Sequence, residues 1–337
     1  MIVDAHNDVL LELLVGSHEE DSLELVLRSG RERLLERYWL ETLAVSGVGV
    51  QVCPLYGACE PGEGACERAL AQEAEFVRAV EANAERACHV RTRADLEDPR
   101  LRLVLSMEGV EPLEGDPAAF EDWYARGVRS VGLTWNHPNE FAGGIESPTT
   151  GLSERGCTLV RRLAELGVIL DLAHASEQTW RDVIDEEVPF SVTHGCCRAL
   201  RDHPRNLADW QLEALAERGG VLGLMAIASF VDAEAPTVAR LLDHVDHAVA
   251  VMGIEHVGLG ADFIDVARTW QPGCAEDASP AMAKEEIKPR FWLDGFSGPD
   301  DYPALGAALR GRGYDGVRLE AIESGNWLRV LRESLPA

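Results

Sequence analysis

Short apolar runs alternate with longer amphipathic stretches along most of this chain. A continuous apolar run bounded by turn residues is typical of a buried strand, whereas apolar positions three and four residues apart are typical of a helix. The pattern predicts eight strands, at residues 2–6, 47–55, 101–107, 128–135, 168–173, 190–194, 220–225 and 257–262. It predicts helices at about 64–86, 117–126, 153–166, 176–186, 208–218, 236–252, 303–312 and 327–335.

Strands that alternate with helices pair in parallel through right-handed crossovers. Eight such units in 337 residues predict an α/β fold with one (β/α)₈ TIM barrel over residues 1–337, since such a barrel typically needs about 250 residues. The alternative is an open doubly wound sheet, but the segment "HNDVLLELL" after the first strand lacks the glycine-rich loop of such a fold. Two long polar connections, 136–152 and 263–301, are expected to contribute to an active-site rim.

Charge and cysteine content narrow the class of protein. The chain carries 31 basic and 58 acidic residues, a net charge of −27, so nucleic acids and anionic membranes are not expected as partners. Neither a signal peptide nor an apolar stretch of about 18 residues is visible. The eight cysteines are irregularly spaced without a C-x-x-C pattern, which predicts reduced thiols in a cytoplasmic protein.

Metal-capable or titratable residues stand at the ends of five predicted strands, where barrel enzymes carry their catalytic groups. They are His6, Asp8, Glu108, His174, His194 and Asp262. Each alone could merely cap the following helix. Together, imidazoles and carboxylates suit zinc or a similar divalent ion. Three histidines and three carboxylates are too many for one tetrahedral ion with an open position, so two ions sharing a bridging carboxylate are expected.

The remaining histidines are expected at the surface or as caps in loops and helices, with His137 as a candidate rim residue after the fourth predicted strand. They are not predicted to bind metal.

An ordered set of motifs covers essentially the whole chain: "DAHND", "SMEG", "LTWN", "DLAH", "THGCCRALRDHPRN", "DHVDHAVAVMG", "VGLGADF" and "GNWLRV". In this set the chain resembles the membrane (renal) dipeptidases, peptidase family M19, of the amidohydrolase superfamily. The resemblance implies that His6 and Asp8 bind one zinc ion, that Glu108 bridges two, and that His174 and His194 bind the second.

The resemblance also assigns roles outside the ligand set. It implies that Asp262 is the general base and that Arg205, in "HPRN", binds the terminal carboxylate of a dipeptide. A hydroxide bridging the two ions is the expected nucleophile.

Two substrate-binding positions depart from the animal enzymes. Trp135 stands where those enzymes carry a histidine that helps hold the substrate and the developing oxyanion, so that stabilisation must come from metal or another donor. Phe230 stands where a tyrosine is expected, which removes a hydroxyl. Both changes affect substrate preference more than reaction class.

The residue pattern and the resemblance together predict a zinc-dependent dipeptidase. The resemblance also implies activity on L-Xaa-D-Xaa dipeptides. One alternative is a related amidohydrolase acting on a lactone, a cyclic amide or an N-acyl amino acid. A second alternative is a non-enzymatic barrel in which the metal is structural. Asp262 argues against this alternative, because a structural metal site does not require a base that is not a ligand. The resemblance also allows a homodimer, although no segment specifies an interface.

Overall fold

The computed structural model describes residues 1–10, 33, 35–57, 64–264 and 292–337. Its strands are β1 (Ile2–Asp4), β2 (Val48–Tyr56), β3 (Ala87–His89), β4 (Leu101–Glu108), β5 (Val128–Gly132), β6 (Ile169–Asp171), β7 (Val192–Gly195), β8 (Leu222–Leu224) and β9 (Val257–Leu259). Its helices are α1 (Leu40–Ser46), α2 (Ala65–Ala82), α3 (Phe120–Arg126), α4 (Glu154–Leu166), α5 (Glu177–Asp185), α6 (Asp209–Glu217), α7 (Ala228–Val231), α8 (Val238–Met252), α9 (Tyr302–Gly311), α10 (Gly316–Glu320) and α11 (Asn326–Ser334).

The strands are parallel and lie in the order β6, β5, β4, β2, β1, β9, β8, β7. The two ends of this order meet where Asp171 of β6 pairs with Ser191, just before β7. The Ser191 N–H donates to the Leu170 carbonyl at 2.8 Å, and the Leu172 N–H donates to the Ser191 carbonyl at 2.9 Å. These bonds close the eight strands into a barrel and confirm the predicted fold class.

Local sequence signals begin and end the outer helices. Ser153 precedes α4, and its Oγ accepts a hydrogen bond from the Gly156 N–H at 3.1 Å. Gly167 ends the same helix with a φ of 67°, a left-handed conformation that glycine adopts without steric cost. These signals explain why α4 matches its predicted range within one residue.

The N-terminal end of the barrel is closed by α11. Val3, Val50 and Ile169 of the strands form one apolar cluster with Trp327 and Leu331 of this helix. The indole packs so closely on β9 that a Cβ on Gly258 would lie 2.4 Å from its Nε1. The opposite, C-terminal end is therefore the one left for a site.

All eight predicted strands and eight predicted helices are present, with shifts at their ends. Residues 117–126 form a 3₁₀ turn at Pro117–Ala119 followed by α3. The prediction missed β3, which contains His89 and pairs with the first residues of β4, and the short helices α1, α7 and α10. Elements of three to seven residues are too short to produce a visible period.

Several strands end earlier than predicted, and this places site residues in the loops just beyond them. β1 ends at Asp4 rather than at residue 6, and β9 ends at Leu259 rather than at residue 262. Residues 136–152 form the predicted long connection before α4, whereas most of the second predicted connection, 265–291, lies outside the described residues. Among the described residues, no helix combines the length and apolar character needed to cross a membrane.

Candidate metal centre

The six metal-capable residues predicted from the sequence converge at the C-terminal end of the barrel. All are buried: His6, Asp8, Glu108, His174, His194 and Asp262. Glu108 is the last residue of β4 and His194 lies within β7, whereas the others follow β1, β6 and β9 by two to four residues. Parallel strands bring their carboxyl ends to the same face, and so residues more than 250 positions apart become neighbours.

One group of potential ligands consists of His6, Asp8 and Glu108, whose ligand atoms lie within 4.8 Å of one another. The Nε2 of His6 is 3.9 Å from Asp8 Oδ1 and 3.7 Å from Glu108 Oε2. The spacing suits one cation among two carboxylates and an imidazole.

A second group consists of Glu108, His174 and His194. Oε1 of Glu108 is 3.1 Å from His174 Nε2 and 3.7 Å from His194 Nε2. Glu108 therefore turns one carboxylate oxygen toward each group, which is the geometry of a carboxylate that bridges two cations.

Asp262 lies between the two groups. Its Oδ1 is 3.7 Å from His6 Nε2, and it forms a third compact group with His6 and His194. Asp262 and His174 both have a φ of 63°, a left-handed conformation that is uncommon outside glycine. Such strained backbone occurs preferentially at functional sites, where the surrounding structure holds it in place.

Burial and mutual repulsion disfavour charge on the carboxylates. Burial raises the pKa of Asp8 to about 7. The pKa of Glu108 is raised well above its usual range by burial and by the nearby Asp8 and Asp262. The pKa of Asp262 is raised in the same way, by burial and then by Asp8. Three carboxylates gathered this closely need a compensating cation to remain ionised at neutral pH.

The imidazoles are held neutral, which is the form that binds metal. Burial, with Arg205 as the second cause, lowers the pKa of His6 to about 3. Burial also lowers the pKa values of His174 and His194 well below the usual histidine range.

The polar atoms at the centre of this cluster also fit divalent cations. Among the described residues, His6 Nε2 and Asp8 Oδ1 are buried without a hydrogen-bond partner. An unpaired buried nitrogen and carboxylate oxygen are costly unless another group satisfies them. Both atoms point into the first group of ligands, and so the donor set fits a metal ion there.

Residues that orient the histidines were not singled out from the sequence. Nδ1 of His174 lies 2.7 Å from Asn136 Oδ1, so that the ring donates there and leaves Nε2 for a metal. The Thr193 hydroxyl lies 2.9 Å from His194 Nδ1 and donates to Asp171 Oδ2. These supporting residues, Asn136, Thr193 and Asp171, lie inside the motifs "LTWN", "THG" and "DLAH". Membership in these motifs is the one feature of the sequence that could have identified them.

The predicted carboxylate-binding arginine lies at the edge of the centre. Arg205 is buried, and its Nη2 is 3.0 Å from His174 Nε2. Arg205 and His174 also line a cavity of about 270 Å³ between the loops after β5, β6 and β7. A guanidinium in this position can meet an anionic group beside the metal ligands.

The other two predicted substrate positions flank this region. The ring of Trp135 is half-buried, with its centroid 6.0 Å from that of His174. Phe230 is buried, and the Arg205 guanidinium carbon lies 5.8 Å from its ring centroid. Phe230 therefore contacts the arginine rather than the metal-ligand cluster.

Of the histidines not predicted to bind metal, His137 lies as expected, whereas the prediction was wrong for His203 and His244. His137 is at the rim as expected, paired with Glu146 at 2.5 Å and next to Trp135. His203 and His244, expected at the surface or as caps, are buried instead. His244 accepts the Cys197 N–H at 3.0 Å, so it connects α8 to the loop after β7.

Comparisons with known proteins agree with this geometry. Residues 1–281 match the family model described as membrane dipeptidase (peptidase family M19). An uncharacterized protein in the pqqA 5′ region of Klebsiella pneumoniae is 31% identical over 256 residues, 70% of this chain and 83% of that protein. Dipeptidase verJ of Clonostachys rogersoniana is 33% identical over 174 residues, but the match spans 50% of this chain and only 45% of that protein.

Solved structures of similar proteins cover the chain from end to end. A metallo peptidase of family M19, dipeptidase AC, has a TM-score of 0.79 at 26% identity and covers 100% of this chain and 99% of its own. A metallo peptidase from Rhodobacter sphaeroides, liganded with a phosphinate mimic of the dipeptide L-Ala-D-Ala, has a TM-score of 0.78 at 25% identity and covers 99% of each chain. With the family model matching most of its length, this chain belongs to the membrane dipeptidase family, peptidase family M19, and is a hydrolase of the metallo-dipeptidase class.

Proposed function

We propose that this protein hydrolyses the peptide bond of free dipeptides, with two zinc ions held by His6, Asp8, Glu108, His174 and His194. The observation that carries the proposal is the placement of Glu108, which gives one carboxylate oxygen to each of two ligand groups. When bound, two such ions would polarise the scissile carbonyl and activate a water molecule.

Asp262 is the proposed general base. It lies beside both ligand groups, and its left-handed backbone turns it into the cluster. In this role its carboxylate takes a proton from the attacking water and passes it to the departing amine. Cations bound in the centre would favour the ionised form of Asp262 that this role requires.

Arg205 is the proposed site for the terminal carboxylate of the substrate. It is buried beside His174 and lines a cavity, and its planar guanidinium can form two parallel hydrogen bonds with a carboxylate. This recognition would favour dipeptides over longer chains, because the carboxylate must lie within one residue of the bond that is cleaved.

We further propose that the enzyme accepts a D-residue at the C-terminal position. The support is the Rhodobacter sphaeroides relative, whose bound ligand mimics L-Ala-D-Ala. Cytoplasmic location and a homodimer stay predictions from the sequence.

The test is turnover by the zinc-loaded protein on L-Ala-L-Ala, L-Ala-D-Ala, C-terminally amidated L-Ala-D-Ala, N-acetyl-alanine and a lactone. Cleavage of both dipeptides with little cleavage of the amide is expected, because the amide lacks the charge that Arg205 would bind. Inert dipeptides together with rapid cleavage of N-acetyl-alanine or the lactone would favour the alternative amidohydrolase. An Asp262→Asn protein purified in parallel controls for a contaminating peptidase.

A further inference from the structure

A buried hydrogen-bond network lies beside the metal centre and includes none of the proposed ligands' side chains. Its centre is Asp4, the last residue of β1, which is fully buried. Asp4 Oδ2 accepts hydrogen bonds from Asn7 Nδ2 and from the Tyr302 hydroxyl, each at 2.5 Å. Asp4 Oδ1 accepts from the backbone N–H groups of Ala261 at 3.1 Å and His6 at 3.3 Å. We call Asp4, Asn7 and Tyr302 the Asp4 clamp.

The Asp4 clamp holds the backbone on either side of three site residues. Asn7 stands between His6 and Asp8, and its Oδ1 accepts the Phe263 N–H at 2.8 Å. Ala261 and Phe263 are the two neighbours of Asp262 in the chain. The clamp therefore ties the loop that carries His6 and Asp8 to the loop that carries the proposed base.

Backbone hydrogen bonds also join these two loops, as a continuation of the pairing between β1 and β9. β1 and β9 share a single register pair, Asp4 with Leu259. Beyond it the Asp262 N–H donates to the His6 carbonyl and the Asp8 N–H donates to the Phe263 carbonyl, each at 2.9 Å. Asp262 also has a strained φ of 63°, which persists only where the surroundings hold it.

We propose that Asp4, with Asn7 and Tyr302, is a positioning residue that sets the spacing between the His6–Asp8 ligand pair and Asp262. The proposal rests on the proposed function of these three residues. It assigns a role to the first and fourth letters of "DAHND", which the ligand roles of His6 and Asp8 leave unexplained. It also gives α9 a part in the site, because Tyr302 is the first residue of that helix.

Tyr302→Phe is the sharpest test, since it removes one hydroxyl and keeps the ring. Tyr314→Phe is the matched control. Tyr314 is also buried, and its hydroxyl also donates to a carboxylate at 2.7 Å, that of Asp246 in α8, a helix that carries none of the proposed site residues. Loss of an outer-sphere partner typically costs about 10- to 100-fold in metal affinity or activity. We therefore expect Tyr302→Phe to lower kcat about 10-fold with KM nearly unchanged, and Tyr314→Phe to change neither.

Metal release supplies a readout that does not depend on turnover. Zinc transfer from each holoenzyme to a chromogenic chelator should be about 10-fold faster for Tyr302→Phe than for the wild type and for Tyr314→Phe. If both variants lose melting temperature alike and release zinc at the wild-type rate, Tyr302 is only a structural residue and the proposal is overturned. If the wild type cleaves no dipeptide, the proposed function fails, while the release rates still test the clamp.

Asp4→Asn is the second variant. All four partners of the Asp4 carboxylate are donors, so either orientation of an asparagine amide would turn its NH₂ group toward two of them. We expect the Asp4→Asn protein to release zinc faster than the Tyr302→Phe protein does. Wild-type zinc release by a folded Asp4→Asn protein would contradict the proposal, and if this protein does not fold, Tyr302→Phe decides.

Discussion

The Nε2 atoms of His174 and His194 lie 2.9 Å apart, and both lie within 3.7 Å of the same oxygen of Glu108. The other ring nitrogen, Nδ1, is hydrogen-bonded to Asn136 in His174 and to Thr193 in His194. The two Nε2 lone pairs therefore face one point beside a carboxylate oxygen. A cation at that point would satisfy all three atoms at once, so the donor set fits a metal ion there.

Glu108→Ala should weaken the binding of both metal ions, because Glu108 belongs to both ligand groups. His174→Ala should weaken mainly one ion, since His174 belongs only to the second group. Elemental analysis after gel filtration should find close to two ions per wild-type chain and fewer in each variant. A wild-type protein with no more than one ion, even after zinc supplementation, would contradict the two-ion centre.

Asp262→Asn should retain the fold and both ions but lower kcat by about 10²–10⁴-fold, because an amide cannot accept the proton. KM should change little, since substrate affinity would rest on Arg205 and the ions. Steady-state kinetics and metal analysis of the same preparation check this. Asp209→Asn, which alters an exposed carboxylate paired with His247, is the matched control. Near-normal kcat with full metal content would remove Asp262 from the mechanism.

Arg205→Ala should raise KM for dipeptides by roughly 30-fold, as expected when a charged hydrogen bond worth about 2 kcal/mol is lost. The variant should also lose the preference for a free carboxylate over an amide. Kinetics on L-Ala-D-Ala and its amide measure both effects. Arg181→Ala, which removes a guanidinium that lies over Trp210, should leave both unchanged. An Arg205→Ala protein that still discriminates against the amide would place carboxylate recognition elsewhere.

Glu111→Gln should stabilise the protein at pH 8 and have little effect near pH 4.5. Burial raises the pKa of Glu111 from 4.5 to about 7, and its Oε2 has no hydrogen-bond partner among the described residues. The native state therefore binds a proton that the unfolded state releases between these pH values, so stability falls as pH rises through this window. Above pH 7 the native state is destabilised by the full amount, on the order of 3 kcal/mol.

Urea unfolding of wild type, Glu111→Gln and the exposed-site control Glu114→Gln at the two pH values measures this effect. Equal stability of wild type and Glu111→Gln at pH 8 would show that Glu111 is solvated. A gain from Glu114→Gln of the same size would show a general charge effect, since the chain is strongly acidic.

The alternation of strands and helices, and with it the barrel fold class, could be predicted from the amino-acid sequence alone. Hydrophobic periods, helix caps such as Ser153 and helix-ending glycines such as Gly167 act within a few residues, and so they can be recognised locally. The candidate ligands could be named for a related reason. Each stands at or just beyond the end of a predicted strand, and parallel strands bring such positions together in any closed barrel.

The end of each strand and the contacts between site side chains depend on interactions between residues that are distant in sequence. The left-handed backbone at His174 and Asp262 is set by neighbours far away in sequence, and no local pattern around either residue predicts it. Barrel closure through Asp171 and Ser191 is likewise a property of the assembled sheet.

The residues that hold the site side chains in place also lie in motifs visible in the sequence, whereas their contacts are visible only in the structure. Asn136 and Thr193 lie inside recognisable motifs, and His174 and His194 were predicted as ligands. The hydrogen bonds that pair Asn136 with His174 and Thr193 with His194 became visible only in three dimensions. Tyr302 hydrogen-bonds Asp4 across 298 positions of sequence. A hydrogen bond depends on distance and direction in space, and the sequence spacing between its partners carries neither, so only the folded barrel could reveal it.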